Sequence, residues 1–359
     1  MKSNLQNRRA LNIFSESIDP IVYPVMRKLV VLAATLSISW PAAGAALDAY
    51  AVVVGGAGNG GSGCSTFGPP AGLSFFSFSS PSIPLGGIGP CGYTGGVSQV
   101  SAASGPLTNS NSVGPVILGN PGFSGSFDGT ANSVANYGKL GASAHANISG
   151  GIPGSPLALF NSTGAAKFFD TLTASSPLVA NASAGSVRYQ FSVDGSLTSL
   201  GAPGAFLFGE TYAVLDIQQQ GGPVYEILNA HVRRGGTGVI SGNPPPLGWT
   251  TSMGSLSGGS VFDSLELPMN WGQPWDVSVG LLAWAYGTAD TNFLTIAKLT
   301  GLELFDANHV KVTQFSISSA SGTDYVNAGS TAGVPEPQAL VLMLSGLGLL
   351  GFGARCKAG

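Results

Sequence analysis

The run SVRYQFSV at Ser186–Val193 most constrains the fold. Val187, Tyr189, Phe191 and Val193 fall on one side, and Arg188, Gln190 and Ser192 on the other, which is the period of two that belongs to a half-buried strand. Asp194-Gly195 follows and reads as a turn. FGETYAVLDIQ at Phe208–Gln218 places Ala213, Leu215 and Ile217 on one face. WDVSVGLLAWAY at Trp275–Tyr286 is apolar on both faces, with Val277, Val279, Leu281 and Ala283 on one side and Leu282, Trp284 and Tyr286 on the other; it reads as a central strand covered twice. NFLTIAKLTGLELFD (Asn292–Asp306) and HVKVTQFSISS (His309–Ser319) read as strands joined by a hairpin turn at Asp306-Ala307-Asn308. Between the two ends of the chain, no window of 11 residues or more has a helical period. Many short strands with closely spaced turn signals specify an all-β protein, an antiparallel β-sandwich of jelly-roll-like type with Gly/Ser-rich loops.

Composition agrees. Only 9% of the residues are charged, and Gly 54 with Pro 23 supply turns, yet 44% are hydrophobic and can form a core. Disordered chains combine low apolar content with high net charge, and this chain does neither. A formal net charge of -3 offers no basic surface for nucleic acid.

Six segments are expected. Residues 1–25 are polar and fit nothing downstream; Met26 is the expected true start, a long leading segment being the alternative. Residues 26–46 read as a secretory signal peptide: Arg27 and Lys28, an apolar Leu29–Ile38, then Ala43-Gly44-Ala45 with small residues for signal peptidase. A membrane anchor or buried strand is the alternative. Residues 47–130 read as a Gly/Ser-rich irregular β region, with strands at Ala49–Val54 and Leu73–Ser79. Residues 131–317 read as the sandwich core, 318–333 as a flexible spacer and 334–359 as a tail.

That tail is AGVPEPQALVLMLSGLGLLGFGARCKAG from Ala332. Ala339–Ala354 is uncharged; as a helix its 16 residues would be about 24 Å long, somewhat short of the ~30 Å hydrocarbon core. Gly346, Gly348, Gly351 and Gly353 each weaken such a helix by up to about 1 kcal/mol. Pro335 and Pro337 keep the chain extended ahead of it, and Arg355 and Lys357 behind it favour the cytoplasmic side. Val334, Pro335, Glu336 and Pro337, the Leu/Gly run and the basic end with Arg355 and Lys357 together resemble the PEP-CTERM sorting signal of bacterial exported proteins. The resemblance implies recognition by an exosortase, a membrane enzyme of bacteria that secrete exopolysaccharide, and a short C-terminal transmembrane helix. Cys356 interrupts the arginine cluster with which the family usually ends. A plain single-pass anchor is the alternative. Residues 131–337 also resemble the bodies of many such proteins, which implies a sandwich ectodomain and no catalytic assignment.

Chemistry-bearing residues are sparse. Cys64 and Cys91 flank a Gly/Pro/Ser-rich loop and are the candidate disulfide; closing that loop contributes roughly 3.5 kcal/mol in the chain-entropy model. Two unpaired thiols is the alternative. VVVGGAGNGG at Val52–Gly61 lacks the helix that a dinucleotide fingerprint needs. His145, His231 and His309 are far apart and read as solvated surface. Asp290 suits a loop cation site, but a turn-capping role is preferred. No catalytic residue, metal site or cofactor is expected. Trp249, Trp271 and Trp275 lie among prolines and amides, where they either stack on sugar rings or cap the core.

The expected protein is therefore exported and non-enzymatic, working in the cell envelope or extracellular matrix. Its processing partners are signal peptidase and an exosortase. It is held in the inner membrane by its tail until processed, and exopolysaccharide is the candidate partner of the body. A carbohydrate-binding module and a simple membrane-anchored surface protein are the alternatives.

Overall fold

The computed structural model describes residues 44–57, 92–120, 123–151, 158–200, 209–233 and 235–326. Strands β1 Ala45–Ala57, β2 Gly92–Ala102, β3 Leu107–Asn120, β4 Phe123–Asn136, β5 Lys139–Gly151 and β6 Ala158–Ser175 come first. They are followed by β7 Ala184–Ser199, β8 Glu210–Gln219, β9 Val224–Arg233, β10 Val239–Gly242, β11 Trp249–Ser252 and β12 Ser255–Asp263. The last are β13 Leu267–Asn270, β14 Pro274–Tyr286, β15 Ala289–Asp306, β16 Lys311–Val312 and β17 Ser316–Ser319. Among the described residues there is no helix.

Two antiparallel sheets form. One has eight strands in the order β10-β9-β8-β14-β6-β1-β2, with β17 also on β6. The other has nine, in the order β11-β12-β7-β15-β5-β4-β3, with β13 on β7 and β16 on β15. One buried cluster draws on both, with Phe168, Leu215, Trp275 and Val279 from the first sheet and Tyr189, Phe191, Phe262 and Phe293 from the second.

The alternation read from the sequence sets the layers. Val187, Tyr189, Phe191 and Val193 are buried along β7. β14 lies between β8 and β6 and is buried on both faces over most of its length, as its two-sided apolar pattern requires. Tyr189 sits in the core with its phenol satisfied: Trp275 Nε1 donates to it at 2.9 Å, and it donates to Gln219 Oε1 at 3.2 Å. The hairpin at Asp306 is present, its carboxylate accepting from the backbone N–H of Asn308 at 2.8 Å and of Val310 at 2.9 Å.

Three expectations need correction. Residues 92–126 hold β2, β3 and the start of β4 rather than mostly irregular chain. Gly, Ser, Thr and Asn dominate this stretch of the sequence, and two asparagines on β3 bridge to the facing sheet. Asn109 Nδ2 donates to Ser98 O at 2.8 Å and Ala49 O at 3.0 Å, and Asn111 Nδ2 donates to Gly96 O at 2.8 Å. Asp194-Gly195 is no turn but part of β7, paired with Gly259 and Gly258 of β12, and the glycine leaves the space that the Phe293 ring occupies. The chain from His309 to Ser319 is two strands on different sheets, β16 and β17. Leu73–Ser79 lies outside the described residues.

Candidate functional site

The body's first and last described residues meet at one place. β1 pairs with β6 from Ala45↔Asp170 to Ala57↔Ala158, and β17 pairs with the next stretch of β6, from Ser319↔Leu172 to Ser316↔Ser175. β17 thus runs end to end into β1 along the same flank of β6. A Cβ at Gly44 would lie 3.2 Å from that of Ala320.

Asp170 closes this junction. It faces inward on β6 and is fully buried. Its carboxylate accepts from Ser321 Oγ at 2.5 Å, Tyr325 Oη at 2.7 Å, Ser321 N at 3.0 Å and Thr171 N at 2.9 Å. Burial pushes the Asp170 carboxyl above the usual range, against the hydrogen bonds from Ser321, Tyr325 and Thr171, which favour its charge. Tyr325 is itself buried and stacks on Phe168 with centroids 6.4 Å apart. Burial and the neighbouring Asp170 raise its phenol well above the ordinary value. The expected spacer 318–333 is therefore not free at its start: residues up to Tyr325 are part of the folded body. Sequence carried no warning, because Ser321 and Tyr325 meet Asp170 across 151 and 155 residues.

The tryptophans divide. Trp271 and Trp275 are buried in the core, so neither offers a ring face to a sugar. Trp249 is partly buried and stacks on Phe293 at 6.0 Å. These residues cap and fill the core, which corrects the sugar-stacking expectation for Trp271 and Trp275.

The histidines are not simply solvated surface. His231 stacks on Tyr212 at 5.5 Å, and burial, then the Arg233 charge, lower its pKa. His309 is largely exposed beside Glu266. His145 stands between two carboxylates brought together by register: β5 pairs with β4 at His145↔Thr130 and with β15 at His145↔Asp290. Its Nδ1 lies 2.5 Å from Asp290 Oδ1, and its Nε2 lies 3.5 Å from Asp128 Oδ2. Among the described residues, no group of three or more His, Cys, Asp or Glu side chains is placed to hold a metal ion, and no helix is long and apolar enough to cross a membrane.

Cys64, Cys91, Ala43, Val334, Pro335, Glu336, Pro337, Arg355 and Lys357 lie outside the described residues. Ala45, the second small residue of the expected signal peptidase site, is the first residue of β1.

The fold defines an antiparallel two-sheet protein in which the first and the last described residues lie at one junction on β6. The tail carries a recognisable signal: residues 333–358 match the family model of the PEP-CTERM protein-sorting motif. The chain carries, at its C-terminus, the signal of an exported protein that an exosortase recognises. No curated protein and no solved structure matches the chain.

Proposed function

We propose that this protein is a non-enzymatic β-sandwich of the cell envelope or extracellular matrix, displayed outside the inner membrane by its tail and released or transferred when an exosortase acts at Pro335-Glu336-Pro337. The observation that carries the reading is the sorting motif at residues 333–358. The body's geometry supports it. The last described residues belong to the Asp170 junction, and residues 327–332 lie between them and the motif. Six residues reach at most about 22 Å, which would hold the body close to the membrane that the enzyme occupies. The start of β1 lies at the same junction, which suits a precursor tethered at both ends during export.

The structural role rests on how the body spends its polar groups. Asp170, Tyr189, Gln219, Asn109 and Asn111 all bond within the fold. The carbohydrate-binding alternative loses its support at Trp271 and Trp275, which are core residues.

Fractionation of the native host with and without its exosortase tests the reading. The expected result is a shortened, membrane-free protein when the enzyme is present and a full-length, membrane-bound one when it is deleted. A full-length membrane-bound protein in both strains would establish the simple anchor instead. Glu336→Ala should reproduce the deletion phenotype.

A further inference from the structure

Past β17 the chain turns back and docks on the body. Ala320 N donates to Thr171 O at 2.9 Å, and Gly322 N donates to Ser319 O at 3.2 Å. Gly322 has a φ of 76°, a conformation that favours glycine. Thr323 is held inside the same turn: its N–H donates to Ser321 Oγ at 3.2 Å, and its carbonyl accepts from Ser319 Oγ at 2.9 Å. The turn delivers two hydroxyls to one carboxylate oxygen, since Ser321 Oγ and Tyr325 Oη both reach Asp170 Oδ2. One ring completes the contact. Tyr325 is 1% exposed, whereas Val326 beside it is 41% exposed. The ring packs where residue 138 is glycine: a Cβ there would lie 3.4 Å from Tyr325 Cε1.

The docked turn sets the length of the tether to the tail. From Val326, residues 327–332 lead to the motif at 333 and reach at most about 22 Å. If the turn undocks back to the end of β17, residues 320–332 are released, and these thirteen residues reach at most about 47 Å. An enzyme that cuts a chain beside folded structure acts on the opened form, at a rate that follows the population of that form. Docking also requires β6, because Asp170 lies 151 residues before Ser321. The short tether therefore exists only once the body has folded.

We propose that Ala320–Val326 is a docked stem, clamped to Asp170 by Ser321 and Tyr325, that restrains processing of the tail by holding the motif close to the folded body. Release of the stem about doubles the reach of the motif and opens it to the enzyme. Asp170 is here a positioning residue that acts through the stem. The restraint rests on the reading that an exosortase processes the tail; the docking does not.

Two measurements on the full chain separate these parts. Chymotrypsin cuts after tyrosine, so cutting after Tyr325 in the detergent-solubilised full chain, read by mass spectrometry, reports undocking. The parent should resist, and Ser321→Ala should be cut there at least ~10-fold faster. In the native host, pulse–chase follows conversion to the shortened form. Ser321→Ala and Tyr325→Ala should be shortened at least ~3-fold faster than the parent. A Gly/Ser insertion after Val326, which lengthens the tether with the stem docked, should do the same. Phe262→Leu, which loosens the core beside Gly242, should be shortened at the parent's rate. Equal chymotrypsin cutting of the parent and Ser321→Ala overturns the docking. Unchanged shortening of the released and lengthened chains overturns the restraint, as does equal acceleration by Phe262→Leu, which would assign the effect to general stability. A parent that is never shortened in the exosortase strain removes the processing reading and the restraint with it, while the chymotrypsin result still decides the docking.

Discussion

Two parts of the same interior are built on opposite principles. The larger cluster is filled by bulk: Tyr189, Phe191, Phe262, Trp271, Trp275 and Phe293 are all buried there. The smaller cluster is Ala51, Val53, Phe127, Ala131, Ala144, Ala146, Ile148, Ala285 and Ala289, six alanines of nine. Here the sheets are joined by closeness. At Gly164 a Cβ would run into the backbone oxygens of Asn132 and Ser143, and at Gly129 it would lie 2.7 Å from Ser162 Oγ. One part excludes water with side chains, the other by bringing backbones together. The first should therefore be sensitive to truncation and the second to enlargement.

The largest expected effect breaks the bulky part. Trp275→Ala removes a buried indole together with its hydrogen bond to Tyr189 and should cost about 3–5 kcal/mol in urea unfolding. The matched truncation in the small part, Ala144→Gly, removes one methyl and should cost about 1 kcal/mol. Comparable losses at the two positions would mean that the two clusters do not differ in kind. Enlargement reverses the order. Gly164→Ala forces β6 away from the facing sheet and should cost about 1–3 kcal/mol. An enlargement of Ala166 on the bulky side that proves equally costly would remove the distinction.

The same contrast explains what the sequence disclosed. The bulky part announces itself, because Val187, Tyr189, Phe191 and Val193 alternate with polar residues and the Trp275–Tyr286 run is apolar on both faces. Burial on β7 and the central place of β14 follow directly from those patterns. The small part is nearly silent. In β2, β3 and β4, Ala, Gly, Ser and Asn alternate with one another, so strand residues look like loop residues. Asp194-Gly195 carries a turn's chemistry but sits mid-strand, where its glycine makes room for Phe293 from another strand. The tail was legible because its signal is linear and local. Asp170 and the His145 group were not, since each is assembled by pairing between distant strands.

Asp170 offers a sharper test at the open end of the interior, where Tyr325 from beyond β17 acts as a bulky plug against Phe168. Asp170→Asn replaces one acceptor oxygen with a donor facing hydroxyls and should cost about 1–3 kcal/mol. It should also expose the chain after Ala320 to proteolysis. The pH dependence has a definite sign. Burial raises the folded-state pKa of Asp170, so its contribution is fully present below the unfolded value of about 4 and is lost as pH rises through the folded value. The stability margin of the parent over Asp170→Asn should shrink from acid towards neutral pH. A margin that grows with pH would mean the carboxylate is held charged, and the plug would then rest on an ionic rather than a buried neutral contact.

The smallest effect, and the opposite sign, belongs to Glu266 on the outer face of the bulky part. A hydrogen bond from His309 at 2.8 Å, then Ser186 and Arg188, hold its carboxyl below the usual range. A lowered folded-state value gives stability that is present above about pH 4.5 and is lost as pH falls through the folded value. His309 is 75% exposed and Arg188 31%, so solvent screens the network, and Glu266→Gln should cost only about 0.2–1 kcal/mol at neutral pH. The margin should vanish in acid, where that of Asp170 is greatest. Urea midpoints of the two variants across one pH series would set the outer carboxylate against the inner one. Parallel slopes would mean that both carboxyls are governed by the net charge of the chain rather than by their opposite settings, one in the interior and one on the rim.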